Sequence, residues 1–223
     1  MFGGLFLYNV MRGEETVQHV FIHGLGQNSL SWDSTISYIK SPINVSCLEL
    51  SDFIRDKEMT YANLYHAFSE YCNGVSGQLN LCGLSMGGVL ALNYAIDYPA
   101  KVHSLVLIGT QYKMPKVLLK VQNIIFRFLP NSVFKNMGFK KNDFIRLTDS
   151  MSDLDFSEKL SDIICPVLVL CGDKDTANKK AAKSLVANIL QSSIQFVEKA
   201  GHEVNVNNPV VLAEKIDRFY GTV

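Results

Sequence analysis

The sequence has few cysteines, no long apolar run and no excess of either charge. Its five cysteines are an odd number without Cys-x-x-Cys spacing, which favours free thiols in a reducing cytoplasm over disulfides or zinc. No apolar run reaches the roughly 18 residues of a membrane-spanning helix. The 21 basic residues balance 21 acidic ones, which argues against a nucleic-acid partner. We therefore expect a cytoplasmic protein with no transmembrane segment.

The beginning of the chain is apolar, but it lacks the marks of a signal peptide. No basic residue precedes MFGGLFLYNV, and no small-residue cleavage site follows it, so we predict a strand there. With 48% hydrophobic residues, the 223-residue chain is long enough for one large core and an inserted subdomain.

Short apolar runs that end at glycine or polar turns alternate with helical patterns. Each run has the length of a strand and is rich in Val, Ile and Leu on both faces, as in a buried parallel sheet. The runs are QHVFIHG, INVSCLEL, QLNLCG, VHSLVLIG, PVLVLCG and SIQFVEKAG. Helical patterns lie between them in TYANLYHAFSEYC, MGGVLALNYAIDYP and NKKAAKSLVANIL. This order predicts an α/β fold, with a mostly parallel central sheet and helices on both faces.

About fifty residues interrupt the alternation between the fourth and fifth strands. Three short helical patterns separated by Pro130 and Gly138 occur there, and we interpret residues 111–162 as a helical cap inserted into a core of 1–110 and 163–223. The cap is basic: residues 111–148 contain eight Lys or Arg against one acidic residue, Asp143.

The segment GLSMGG places a serine in a glycine-rich turn. It fits G-x-S-x-G at Gly83, Ser85 and Gly87, and a strand leads in while a helix leads out, which is the context this motif requires. Such a turn presents the hydroxyl at the carboxyl end of the sheet, beside free N–H groups at the start of a helix. Ser85 is therefore the candidate nucleophile, and the N–H of Met86 is a candidate oxyanion donor. No GK[ST] follows, so a phosphate loop is excluded.

A serine nucleophile needs a base and an orienting acid, and candidates for both follow in the sequence. His202 lies in a glycine turn after the sixth apolar run, ahead of the last helical pattern. The acid is Asp173 or Asp175, after PVLVLCG. The four other histidines have ordinary surface or core positions, and His23 belongs to a strand-end His-Gly pair. That turn offers a second oxyanion donor, the N–H of Leu25.

Taken together, these motifs resemble the α/β-hydrolase fold superfamily. The resemblance rests on HG at 23–24, GLSMGG at 83–88, CGDKD at 171–175 and AGH at 200–202, in family order over nearly the whole chain. In relatives the acid usually follows the strand-end glycine as G-x-x-D, which selects Asp175. The chain departs from the family at LELSDFIRDKEMTY, where many relatives carry a D-x-P-G-x-G-x-S loop.

The resemblance implies a serine hydrolase that acts on an ester or thioester through an acyl-enzyme, without metal or organic cofactor. Two alternatives remain open: a ligand-binding receptor or signalling protein on the same fold, and carbon–carbon cleavage by the same side chains. Apolar cap residues are candidates for an acyl pocket: Val117, Leu118, Val121, Ile124, Ile125 and Phe128. The basic cap is a candidate surface for an acidic carrier protein, an anionic acyl group or an anionic membrane.

Overall fold

A computed structural model describes residues 17–41, 43–54, 57–130 and 140–223, and the side chains of 117, 118, 121 and 122 are outside that description. The expected N-terminal strand and the helical pattern SVFKNMGF therefore lie outside the described residues.

Within the described residues, six parallel strands form one sheet in the order β2-β1-β3-β4-β5-β6. The strands are β1 Gln18–Ile22, β2 Val45–Leu48, β3 Leu79–Leu84, β4 Val102–Ile108, β5 Val167–Gly172 and β6 Ser192–Val197. Each of the six apolar runs overlaps one of these strands, which confirms the predicted parallel sheet. In the sheet, β2 lies on one side of β1 and β3 lies on its other side, so the direction in which strands are added reverses after β2. Parallel sheets bind ligands where the strand order reverses in this way, at the carboxyl ends of the strands.

Helices cover both faces of the sheet. They are α1 Asp33–Ser37, α2 Tyr61–Gly74, α3 Met86–Asp97, α4 Lys116–Phe128, α5 Lys141–Ser150, α6 Lys179–Asn188, α7 Val204–Asn207 and α8 Pro209–Tyr220. Short 3-10 turns lie at Ser29–Trp32, Leu50–Ile54, Pro99–Lys101 and Ser157–Asp162. None of the helices in the described parts of the chain is both long enough and apolar enough to span a bilayer.

Alternate side chains of each central strand pack into two separate cores. Ile22 of β1 joins a core with Leu64 and Leu90 of α2 and α3, whereas its neighbour Phe21 packs with Trp32 and with Leu212 of α8. The period-two alternation of a strand thus serves two layers of helices. Since fully burying a Leu or Phe contributes about 1.5–3 kcal/mol, these layers hold the loops at the carboxyl edge in fixed positions.

All five cysteines are unpaired, and four of them are buried. Cys82, which precedes the serine turn, is fully buried in β3, and burial raises the pKa of its thiol well above the ordinary value. Because the thiolate is the reactive form, Cys82 is a core residue and does not compete with Ser85 as a nucleophile.

Candidate active site

Ser85 occupies a strained turn between β3 and α3. Its φ of 52° lies in the left-handed region, which is uncommon for a residue other than glycine. A Cβ on Gly83 would collide with the backbone of Gly87, and a Cβ on Gly87 would collide with the carbonyl of Ile22 in β1. Only glycine therefore fits on either side, and the turn holds the serine hydroxyl at the carboxyl edge of the sheet.

His202 and Asp175 reach Ser85 from the loops that follow β6 and β5. His202 Nε2 lies 2.9 Å from Ser85 Oγ, and His202 Nδ1 lies 2.8 Å from Asp175 Oδ2. Asp173 is placed elsewhere, where its Oδ1 accepts a hydrogen bond from the Ala200 N–H at 3.1 Å. The three side chains form one line of hydrogen bonds, in which the tautomer that donates from Nδ1 leaves Nε2 free to accept the serine proton.

Two amide side chains that were not predicted from the sequence support the Asp175 carboxylate, one by direct contact and the other through the first. Asn178 Nδ2 donates to both oxygens of Asp175, at 2.9 and 2.8 Å, and Gln111 Nε2 donates to Asn178 Oδ1 at 2.8 Å. Burial disfavours the charged form of Asp175, but the hydrogen bonds from His202 and Asn178 outweigh it and lower the pKa of this carboxyl. Asp175 is therefore ionised at neutral pH although only 6% of its surface is exposed.

The turn that carries Leu25 approaches the serine, since a Cβ on Gly24 would lie 3.4 Å from Ser85 Cβ, and Met86 follows Ser85 in the chain. Met86 is the first residue of α3, so its N–H has no partner within the helix. Leu25 follows the strand-end pair His23-Gly24, and both Leu25 and Met86 line the same cavity as Ser85. The buried His23 ring braces this turn, since its Nδ1 lies 2.8 Å from the Gly24 carbonyl and its Nε2 accepts from the Leu50 N–H at 3.2 Å.

A cavity of about 430 Å³ opens beside Ser85 and His202, within the range of small-molecule sites. Its lining is mostly apolar and comes from the strand-end loops, α4 and α5. The apolar side chains are Leu25, Met86, Val89, Met114, Pro115, Leu119, Phe126, Leu129, Phe144, Met151 and Ala177. The polar ones, apart from Ser85 and His202, are Gln111, Thr148, Asn178 and Glu203.

The expected acyl-pocket residues of α4 need correction. Ile124, Ile125 and Phe128 are exposed and do not line the cavity; Leu119 and Phe126, on the opposite side of the helix, do so. Both sides of α4 are apolar, so the sequence pattern did not indicate which side faces inward. The side chains of Val117, Leu118 and Val121 lie outside the description.

The described basic residues of the segment 111–162 lie outside the cavity, whose described lining contains no Lys or Arg. Lys113 pairs with Asp155 at 2.7 Å, and Lys116 pairs with Asp153 at 2.6 Å. The described lining therefore provides no Lys or Arg to pair with an anionic acyl group. Among the described residues, no group of three or more His, Cys, Asp or Glu side chains is arranged to hold a metal ion.

A parallel sheet with a serine on a sharp strand–helix turn, and a histidine and an aspartate on later strand-end loops, defines the α/β-hydrolase class. The sequence profile of the alpha/beta hydrolase family matches residues 20–215. The chain therefore belongs to that family, as the four sequence motifs indicated.

Curated relatives include proteins of different lengths. Abhydrolase domain-containing protein abhd-5.2 of Caenorhabditis elegans is 26% identical over 210 residues, covering 86% of this chain and 46% of that protein. This chain thus spans about half the length of the nematode protein. Pimeloyl-[acyl-carrier protein] methyl ester esterase of Aeromonas hydrophila is 24% identical over 244 residues, with 91% and 94% coverage. A hydrolase structure from Pseudomonas aeruginosa superposes with a TM-score of 0.79 at 17% identity, covering 94% of this chain and 91% of its own.

Proposed function

We propose that the chain hydrolyses a carboxylic ester or thioester of a small to medium acyl group through an acyl-enzyme on Ser85. The observation that carries the proposal is the line of hydrogen bonds from Ser85 through His202 to Asp175, which opens onto an apolar cavity. The relationship to an esterase supports an ester-cleaving activity.

In the proposed first step, Ser85 Oγ attacks the carbonyl carbon while His202 Nε2 takes the hydroxyl proton. Asp175 keeps the imidazole in the tautomer that donates from Nδ1 and stabilises the imidazolium once it forms. His202 then gives the proton to the leaving oxygen or sulfur as the bond to the carbonyl carbon breaks. Water attacks the acyl-enzyme with His202 again as the base, which releases the acid and restores Ser85.

The backbone N–H groups of Leu25 and Met86 are proposed to bind the oxyanion of each tetrahedral intermediate. The turn at His23-Gly24 and the start of α3 hold these groups in place before substrate arrives, so little reorganisation is needed. Preorganised donors of this kind typically contribute about 3 kcal/mol each to transition-state stabilisation.

Residues 111–162 are proposed to act as a cap over a core of 1–110 and 163–223, with the acyl group between them. Leu119, Phe126 and Met151 supply apolar walls, and no Lys or Arg among the described lining residues offers a counter-ion. An uncharged aliphatic acyl group fits this lining better than an anionic one, because an unpaired carboxylate is costly to desolvate. The mechanism assigns the whole proton transfer to His202 and calls on no metal or organic cofactor.

The test is multiple turnover on p-nitrophenyl esters and acyl-thioesters of increasing acyl length. Wild type should turn over at least one of the two series, and Ser85→Ala should reduce kcat by at least about 10⁴-fold. Ser85→Ala protein should retain its circular dichroism spectrum, since the hydroxyl is not part of the core. Binding without turnover in both series would contradict the proposal and favour a ligand-binding protein on a hydrolase fold.

A further inference from the structure

Helix α4 has an inner side that belongs to the cavity. Leu119 and Phe126 line the cavity, and Asn123 between them is buried. Asn123 makes short hydrogen bonds to Thr148 and Asp149 of α5. These polar contacts fix which side of α4 faces inward.

The outer side of α4 carries large apolar side chains in solvent. Ile124 is 54% exposed, Ile125 is 52% exposed and Phe128 is 85% exposed. Isolated exposed apolar residues are ordinary, but three within one turn and a half form a continuous patch. Such a patch favours contact with another apolar phase over contact with water.

Exposed basic residues lie on α4 next to this apolar patch. Lys116, Lys120, Ile124 and Phe128 follow one another at intervals of four, so they form a single stripe along the helix, and all four are exposed. Arg127 is also exposed, three residues after Ile124 and hence beside it. Asp153 pairs with Lys116 and offsets one of these charges. We call Lys116, Lys120, Ile124, Ile125, Arg127 and Phe128 the outer face of α4.

We propose that the outer face of α4 docks the protein on an anionic lipid bilayer. Helices that lie in a membrane interface combine an apolar patch with basic residues at its border, and the outer face of α4 has both. Burial of Phe128, Ile124 and Ile125 among acyl chains removes apolar surface from water, while Lys120 and Arg127 meet lipid phosphates. An acidic carrier protein would engage the cations but leave the apolar patch uncovered, so the side chains favour lipid.

Docking through α4 would place the cavity close to the bilayer. The inner side of α4 walls the cavity next to Ser85, so a protein docked through its outer face holds the cavity one helix away from the bilayer. Delivery of an acyl ester from that surface into the cavity rests on the proposed function, whereas binding to lipid does not.

The experiment measures co-sedimentation of the full chain with vesicles, in the Ser85→Ala background so that no lipid is hydrolysed. Phosphatidylcholine vesicles are compared with vesicles in which about one third of the lipid is phosphatidylglycerol, at low and high salt. Binding to the anionic vesicles is expected, with weaker binding to neutral vesicles and at high salt. Lys120→Glu should lower the affinity by about fivefold or more, the effect of one basic residue near the surface.

The double variant Ile124→Ser/Phe128→Ser should lower the affinity by about tenfold or more. Leu190→Ser is the matched control, because Leu190 is 95% exposed but lies just before β6, at the sheet edge opposite the cavity. This control should bind vesicles like the parent. In the active background the double variant should hydrolyse a soluble ester at the wild-type rate, because neither side chain lines the cavity.

Absence of binding to anionic vesicles would overturn the proposal. Loss of binding in Lys120→Glu with unchanged binding in Ile124→Ser/Phe128→Ser would also overturn it, in favour of a purely ionic partner such as an acidic carrier protein. Failure of the soluble-ester assay in wild type would count against the proposed function alone, since vesicle binding is measured without turnover.

Discussion

Asn178 donates hydrogen bonds to both carboxylate oxygens of Asp175, at 2.9 and 2.8 Å, while its own carbonyl accepts one from Gln111. The carboxylate that orients His202 is thereby fixed from two directions, by the imidazole and by an amide. Gln111 also lines the cavity, so the support of Asp175 extends to the substrate site.

Replacement of Asn178 by alanine should lower kcat by about tenfold to a hundredfold, because small errors in the placement of reacting groups are costly. Asn188→Ala, at the exposed C-terminal end of α6, which begins directly after Asn178, should leave the rate unchanged. An unchanged rate in Asn178→Ala would show that this amide is not needed to position Asp175.

The strands and the serine turn could be predicted from the sequence, because each depends on residues that are close together in the chain. The strands appeared as apolar runs, and the serine turn appeared as glycines at positions that the backbone of β1 and α3 leaves no room to fill. The contact between Gln111 and Asn178 was not readable, because 67 residues separate them and tertiary packing brings them together. The orientation of α4 could not be predicted either, since both of its sides are apolar. The hydrogen bonds of the buried Asn123 to α5 determine which side faces the cavity.

Gly87, two residues after Ser85, should not tolerate any side chain. Gly87→Ala places a methyl group against the backbone carbonyls of Ile22 and His23, which cannot move without displacing β1. We expect a loss of about 1–3 kcal/mol in the free energy of unfolding, together with loss of esterase activity. Chemical denaturation and ester turnover measure the two effects. Gly74→Ala is the control, since beyond its chain neighbours and the backbone of its own helix nothing lies within 4 Å of the added methyl group, and it should leave activity intact.

A larger side chain on α4 should shorten the proposed acyl pocket. Leu119→Trp adds volume at the cavity wall, so kcat/KM should fall for longer acyl esters and stay nearly constant for acetyl esters. Each methylene that no longer fits should cost about 0.8 kcal/mol, or about fourfold in kcat/KM. Ile125→Trp, on the outer face of α4, should leave the chain-length profile unchanged. An equal loss for all acyl lengths in Leu119→Trp would place the acyl group elsewhere.

The free energy of unfolding should decrease as the pH is lowered, because a buried histidine distant from Ser85 is neutral in the folded chain. Burial lowers the pKa of His19 from 6.5 to about 4, and the nearby charge of His103 acts in the same direction. Its Nε2 lies 2.8 Å from the amide nitrogen of Asn80, which needs a neutral acceptor there. Between pH 6.5 and 4 the unfolded chain binds more protons than the folded one, so acidification favours unfolding.

The expected loss from His19 is about 3 kcal/mol in the free energy of unfolding over that interval. Denaturant titrations of wild type and His19→Gln at several pH values measure it. The slope of stability against pH should be smaller in the variant, because glutamine does not titrate. Equal slopes for the two proteins would mean that His19 is protonated equally well in the folded chain.

Labelling with a fluorophosphonate probe tests whether Ser85 is an activated nucleophile. Wild type should gain one adduct, which peptide mass spectrometry should place on Ser85, and His202→Ala should react far more slowly because the general base is missing. Ser85→Ala should remain unlabelled. Absence of an adduct in wild type, or equal labelling of wild type and Ser85→Ala, would show that Ser85 is not an activated nucleophile.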